Sequence, residues 1–341
     1  MTTMTTYPVD SNGHIQWQLR AWFSRMWNFN WFVTSVLLIH VVAIPIYLVA
    51  AIVDPRMITN APAFVKPLKF VISIAIYLGT FLALMMLAQR RRWWVHLIGN
   101  ITALGLLIEI TLITTQAIRG VPSHFNMTTP FNAMVYNIMG STIVVVSIMN
   151  LLMGIWLLFQ RLPDSVVAWA LRMGVFISLA GMVVAFLMTS VPTPAQRAQM
   201  EAGEPLTSFG AHSVGVEDGG PGLPFVGWST EGGDLRIAHF VGLHGMQAMP
   251  LLAFVLNRTS LNRRQRMMFV IIGGLAYVGW LALLTWQALR GQSIVAPDAL
   301  TWNAYAGLVG FVLISTLSTL RLLRQPELAP GPATFGSHNK Q

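Results

Sequence analysis

The chain has 341 residues, of which 55% are hydrophobic and 10% charged, with a mean hydropathy of +0.61 and a formal net charge of +9. So few charges cannot cover a soluble domain of this size, and the composition places the chain in a bilayer. The absence of cysteine excludes structural disulfides, thiolate metal sites and cysteine nucleophiles.

The first stretch, residues 1–30, contains "WQLRAWFSRMWNFNW"; its tryptophans and arginines suit either a segment at the headgroup boundary or a cytoplasmic tail. Apolar runs then start near Trp31, Phe70, Trp94, Phe131, Val166, Ile237, Met267 and Thr301. Each holds roughly twenty apolar residues, enough for a helix to cross about 30 Å of hydrocarbon. The expected fold is an all-α integral membrane protein with eight transmembrane helices. The first run, Trp31 to Val53, is too long for a cleaved signal segment and is expected to stay as an anchor. A long loop, residues 191–235, is rich in Gly and Pro yet carries Phe225 and Trp228, which predicts a folded lid. Residues 326–341 are expected to be a disordered tail.

Lys and Arg are retained on the cytoplasmic side during insertion. With both termini inside, the cytoplasmic segments hold Arg20, Arg25, Arg90, Arg91, Arg92, Arg161, Arg258, Arg263, Arg264, Arg266, Arg321, Arg324 and Lys340, and the external ones only seven such residues. The acidic residues of the long loop fit the outside. The net charge is thus a topological bias and no nucleic-acid partner is implied.

The chain repeats itself. "QAIRG" at Gln116 to Gly120 returns 171 positions later as "QALRG" at Gln287 to Gly291, and Asn132-Ala133 returns as Asn303-Ala304. "KPLKFV" from Lys66 meets "RIAHFV" from Arg236 at a displacement of 170. Two parallel four-helix repeats are predicted, over residues 31–160 and 161–325, related by an axis along the membrane normal. In each "QA-x-RG" stretch the Arg complements a helix C-terminus and the Gly permits a left-handed cap.

Lys66, Lys69, Arg236 and His239 sit at helix starts, where the dipole disfavours positive charge. An anion facing them is expected, whether a ligand, a lipid phosphate or the acidic loop itself. Glu109, Gln116 and Arg119 fall on one helical face, while His239, His244 and Gln247 share an arc of roughly 140°. A carboxyl group at the centre of a span costs about 2.5 to 3.5 kcal/mol by insertion scales, so Glu109 needs a partner or a proton. Glu109 and His244 lie at comparable depth and their counterparts in the other half are Trp280 and Ile74. A composite site between the halves is expected, with Glu109 and His244 at its core, Lys66, Lys69, Arg236 and His239 at its external opening, and the long loop over it.

His40 stands mid-span, where it either hydrogen-bonds a neighbouring carbonyl or ligates a group. With His239 or His244 it makes a candidate axial pair for haem b. His124 and His212 are weak candidates for an external metal, without a recognised ligand spacing. No HExxH, GxSxG, P-loop or dinucleotide GxGxxG occurs.

At "QAIRGVPSHFN" and "DGGPGLPFVGWSTEGGDLRIAHFVGLHGMQ" the chain resembles a family of uncharacterised bacterial multi-pass membrane proteins. The resemblance implies a bacterial plasma membrane and brings no activity. The four-plus-four layout is also similar to that of the haem A synthases, but their Glu-x-x-x-His signature is absent, so no residue role carries over. The functional expectation is binding or transport of a small anionic or amphiphilic ligand. The alternatives are a redox or biosynthetic enzyme holding haem or quinone, and a structural membrane subunit.

The topology predicts that a C-terminal fluorescent fusion shines and a C-terminal alkaline phosphatase fusion is inactive, while phosphatase inserted in residues 191–235 is active. The opposite pattern would invert the orientation.

Overall fold

The computed structural model describes residues 15–88 and 92–322, with side chains over 20–88 and 92–321. Arg90, Arg91, Arg324, Lys340 and the expected disordered tail lie outside the described residues.

Among the described residues eight helices are long and apolar enough to span a bilayer, and the protein is an all-α multi-pass membrane protein. A first helix, α1 (Ile15–Phe29), leaves Trp22, Phe23 and Trp27 exposed. The spans are α2 (Trp31–Val53), α3 (Val65–Met86), α4 (Arg92–Ile118), α5 (Pro130–Leu158) and α6 (Ser165–Leu187). After the short α7 (Pro194–Ala202) come α8 (Leu235–Leu256), α9 (Arg263–Leu289) and α10 (Ala299–Leu322). Among the described residues two short antiparallel pairs accompany the helices: β1 (Met57–Ile58) with β2 (Ala61–Pro62), and β3 (Ser213–Val214) with β4 (Gly233–Asp234). Thr59 and Asn60 both have positive φ, 50° and 57°, the geometry of a tight two-residue hairpin turn.

Local chemistry fixes the boundaries. Asn30 caps α2 by accepting the Val33 N–H at 3.0 Å, and its amide donates to Asn100 at 2.9 Å, tying the start of α2 to α4. Asp164 caps α6 and Asn262 caps α9. Both "QA-x-RG" stretches end their helices alike: Gly120 and Gly291 take φ of 72° and 70°. Val121 N–H then returns to Gln116 O at 3.1 Å and Gln292 N–H to Gln287 O at 3.2 Å. These are Schellman ends, which need a residue tolerant of left-handed backbone.

The helices fall into two like sets. α3 and α8 are each 22 residues long with bounds 170 apart, and α4 and α9 are each 27 residues long with bounds 171 apart. In the first set α2 packs on α3 and α4, α3 on α4, and α4 on α5; in the second α6 packs on α8 and α9, α8 on α9, and α9 on α10. The sets meet along α5 and α6 and around α3. The largest core cluster, built on Leu78, Phe81 and Met85 of α3, takes in Leu171, Val175 and Met182 of α6 and Met246 of α8.

The tightest packing is α6 against α8. A Cβ on Gly181 would lie 2.6 Å from Gly242 C, and one on Gly174 would lie 2.8 Å from Gly245 O. Without a hydrophobic drive between helices in lipid, such backbone approach supplies the van der Waals contact that holds them. Gly242→Ala is therefore expected to lower stability by about 1 to 3 kcal/mol through overpacking. Gly140→Ala on α5, where a Cβ meets nothing within 4 Å, serves as the neutral control in thermal unfolding.

Candidate functional site

The ends of several spans meet the long loop on one side of the bundle. The segment after α4 is stitched to the loop by backbone bonds: Met127 N–H to Thr207 O at 3.0 Å and Phe209 N–H to Phe125 O at 2.9 Å. A Cβ on Gly210 would stand 2.5 Å from Met188 O, which explains the glycine there. Trp228 packs against the cluster of Leu235, Leu284 and Ala288, while Phe225 is exposed. The loop is thus a folded cap that reaches both helix sets.

Beneath it lies a cluster of charged and imidazole groups. Asp234, buried, caps α8 by accepting the Arg236 N–H at 3.0 Å and also accepts the Ser229 N–H at 2.8 Å. The Arg236 guanidinium grips the same carboxylate, with 2.9 Å from Nε to Oδ1 and 2.5 Å from Nη2 to Oδ2. Its Nη2 also donates to Gly227 O at 2.5 Å. Lys69 donates to the adjoining carbonyl, Val226 O, at 3.0 Å. The loop itself therefore supplies partners for two of the cations at the helix starts.

Lys66 differs. Asp218, Arg236, Lys69 and Glu109 are the charged groups within its electrostatic reach, yet it forms no hydrogen bond or ion pair among the described residues. Glu109 is 1% exposed and neither carboxylate oxygen has a partner. Lys66 is the charged group that acts on it.

Three histidines complete the cluster. His239 Nδ1 donates to Gly181 O at 2.8 Å, because a carbonyl can only accept; the neutral ring then keeps an accepting Nε2. His212 Nδ1 lies 2.5 Å from Asp218 Oδ2, and Asp218 also accepts the backbone N–H groups of His212 and Ser213. His124 pairs with Ser123 Oγ at 2.9 Å, and its ring stands 6.5 Å from that of His212. These two candidate metal ligands do stand near each other. Among the described residues, however, no three His, Cys, Asp or Glu side chains are placed to hold one ion.

The remaining predicted site residues lie elsewhere. Arg119 donates to Gln116 Oε1 at 2.5 Å and Asn132 Oδ1 at 2.8 Å, with its guanidinium 4.4 Å over Phe131. Gln116 donates to the same Asn132 oxygen at 3.1 Å. Both serve the end of α4 and its junction with α5. In the second set Arg290 binds Asp298 and Thr301 and lies over Trp286. Gln247 donates to Thr80 of α3 at 3.0 Å, bridging the sets. His244 is exposed and makes no hydrogen bond among the described residues, so it does not meet Glu109. His40 is buried with Nδ1 2.7 Å from Val36 O. It stands on α2, which packs on α1, α3 and α4, whereas α8 packs on α6 and α9. His40 and His244 therefore do not face each other as an axial pair. Asp234 and Asp218 were read only as part of the acidic loop that could face these cations, and Thr80 escaped the sequence reading, since a mid-span threonine carries no periodic signal.

The cap is sensitive to acid. Burial pushes the His212 imidazole below its ordinary value of 6.5 despite Asp218, and Lys66 and Arg236 lower it further. Burial also drives His124 well below 6.5, helped by Lys66, His212 and His239. Burial alone would raise Asp218, but the hydrogen bonds from the His212 ring and from the His212 and Ser213 backbone outweigh it and hold the carboxyl well below its usual range. A histidine with a depressed folded pKa favours folding fully above 6.5, and this contribution is lost as pH falls from 6.5 toward the folded value. Asp218 stays ionised across that window. Thermal midpoints are thus expected to drop between pH 7 and pH 5, and His212→Asn to flatten the drop. Asp218→Asn, which removes a charge-assisted acceptor worth about 1.5 to 3 kcal/mol, should lower the midpoint at both pH values. A profile flat from pH 7 to 5 in the wild type would contradict the buried neutral imidazoles.

No protein-family model, curated protein or solved structure matches the chain, so its chemistry is read from these residues alone.

Proposed function

We propose that this is a bacterial plasma-membrane protein, with both termini cytoplasmic and the capped end outside, that binds or transports a small anionic or amphiphilic ligand beneath the cap. One observation carries the reading: Lys66, near the start of α3, has no hydrogen-bond or ion-pair partner among the described residues, although four charged groups act on it. Phe64 at the N-cap of α3 supplies no side-chain acceptor. The free backbone N–H groups there and the lysine both favour an anion.

The like lengths and packing of the two helix sets support an origin by duplication, with the ligand held where the sets meet. Lys69, Arg236 and His239 border the site, and Gln116 and Arg119 hold the frame around it. His244, exposed near mid-span, favours a second reading as an enzyme holding haem or quinone; a Soret band from the purified protein would support it.

The leading reading predicts that wild-type protein, purified in mild detergent, carries an acidic or amphiphilic small molecule that Lys66→Met does not. Mass spectrometry of solvent extracts from the two proteins checks this. Identical extracts would sink the anion site.

A further inference from the structure

The two helix sets offer an internal comparison at corresponding positions. In the second set the cation Arg236 is saturated: the capping carboxylate of Asp234 takes three of its hydrogen bonds and Gly227 O another. In the first set the position of Asp234 is held by Phe64 and that of Arg236 by Lys66, so the cation lacks its carboxylate. The reverse holds deeper in the bundle. The first set buries Glu109 with both oxygens unpartnered, where the second has Trp280, 42% exposed and stacked edgewise on Tyr277. Lys66 and the buried, unpartnered Glu109 thus both belong to the first set.

Were Lys66 and Glu109 there only for stability, they would close on each other, since an uncompensated buried carboxylate is costly. No ion pair joins them among the described residues. A simple anion would satisfy Lys66 but leave Glu109 without a donor and be repelled by it. A simple cation would satisfy Glu109 but meet Lys66, Lys69 and Arg236. A molecule with both charges complements both groups at once.

We infer that the site takes a small zwitterion, its anionic group on Lys66 and the uncapped start of α3 and its ammonium on the carboxylate of Glu109. This rests on the anion-site reading above and narrows the ligand to one class. The His239 Nε2 and the His124 and His212 rings provide neutral acceptors or donors for the remainder of the molecule. The zwitterion is either free in solution or the headgroup of an aminophospholipid, and both sources present the same two charges.

The test uses the full chain in nanodiscs of phosphatidylglycerol, titrated with O-phosphoethanolamine, phosphate and ethanolamine. Joining the two charges in one molecule turns the second contact into an intramolecular one. The expected Kd for O-phosphoethanolamine is at least about tenfold below those of phosphate and ethanolamine. Glu109→Gln should remove that preference while keeping phosphate binding, and Lys66→Met should remove both. A parallel arm replaces half the lipid by phosphatidylethanolamine: a rise in thermal midpoint abolished by Glu109→Gln identifies the lipid headgroup as the source. Phosphate binding as tightly as O-phosphoethanolamine, and lost in Lys66→Met, would overturn the zwitterion while leaving the anion site standing. No binding of any soluble probe and no stabilisation by phosphatidylethanolamine would overturn the inference outright. If Glu109→Gln does not fold, the comparison of the three soluble probes on wild-type protein decides alone.

Discussion

The backbone contact between α6 and α8 is the constraint on which the rest of the molecule depends. Gly181 against Gly242 and Gly174 against Gly245 let two helices touch without intervening side chains, the closest association available where lipid competes for every apolar surface. The same contact sets the site. Gly181 O receives the His239 proton, so the register that seats the glycines also fixes a ring at the start of α8. Asp234, one residue before that helix, then stands where the cap, the helix N-terminus and Arg236 all converge on its carboxylate.

Around that fixed pair the two helix sets divide their labour. The second set closes its charges on itself, through Asp234–Arg236 and Arg290–Asp298, and behaves as frame. The first leaves Lys66 and Glu109 open and packs them against a core shared by both, centred on α3. Helices of like length and packing thus differ in how their charges are partnered.

Much of this was legible in the sequence. Span positions follow from transfer free energy summed over twenty residues, and the apolar runs from Trp31 and Phe131 begin within a residue of α2 and α5. The glycine ends were legible because a left-handed residue is a local requirement. The site was read in part. Lys66, Glu109 and His239 stand out because charge and imidazole in a span are costly. His244 could not be separated from His239 by spacing, since an arc of roughly 140° covers both a side turned to α3 and one turned outward. His212 and Asp218 were hidden more thoroughly. Their placement depends on backbone bonds between residues 125–127 and 207–209, which are nonlocal and indifferent to side-chain type.

The cap's grip has a mechanical side. Lys69 from α3 holds the carbonyl of Val226, and Arg236 from α8 holds that of Gly227. These are consecutive peptide groups, each fastened to a different helix set. A rocking of one set against the other pulls the two ends of a single dipeptide apart, and one hydrogen bond has to yield. Displacement of the loop and relative rotation of the halves are therefore geared together: the tip works as a differential, unable to follow both sets once they part.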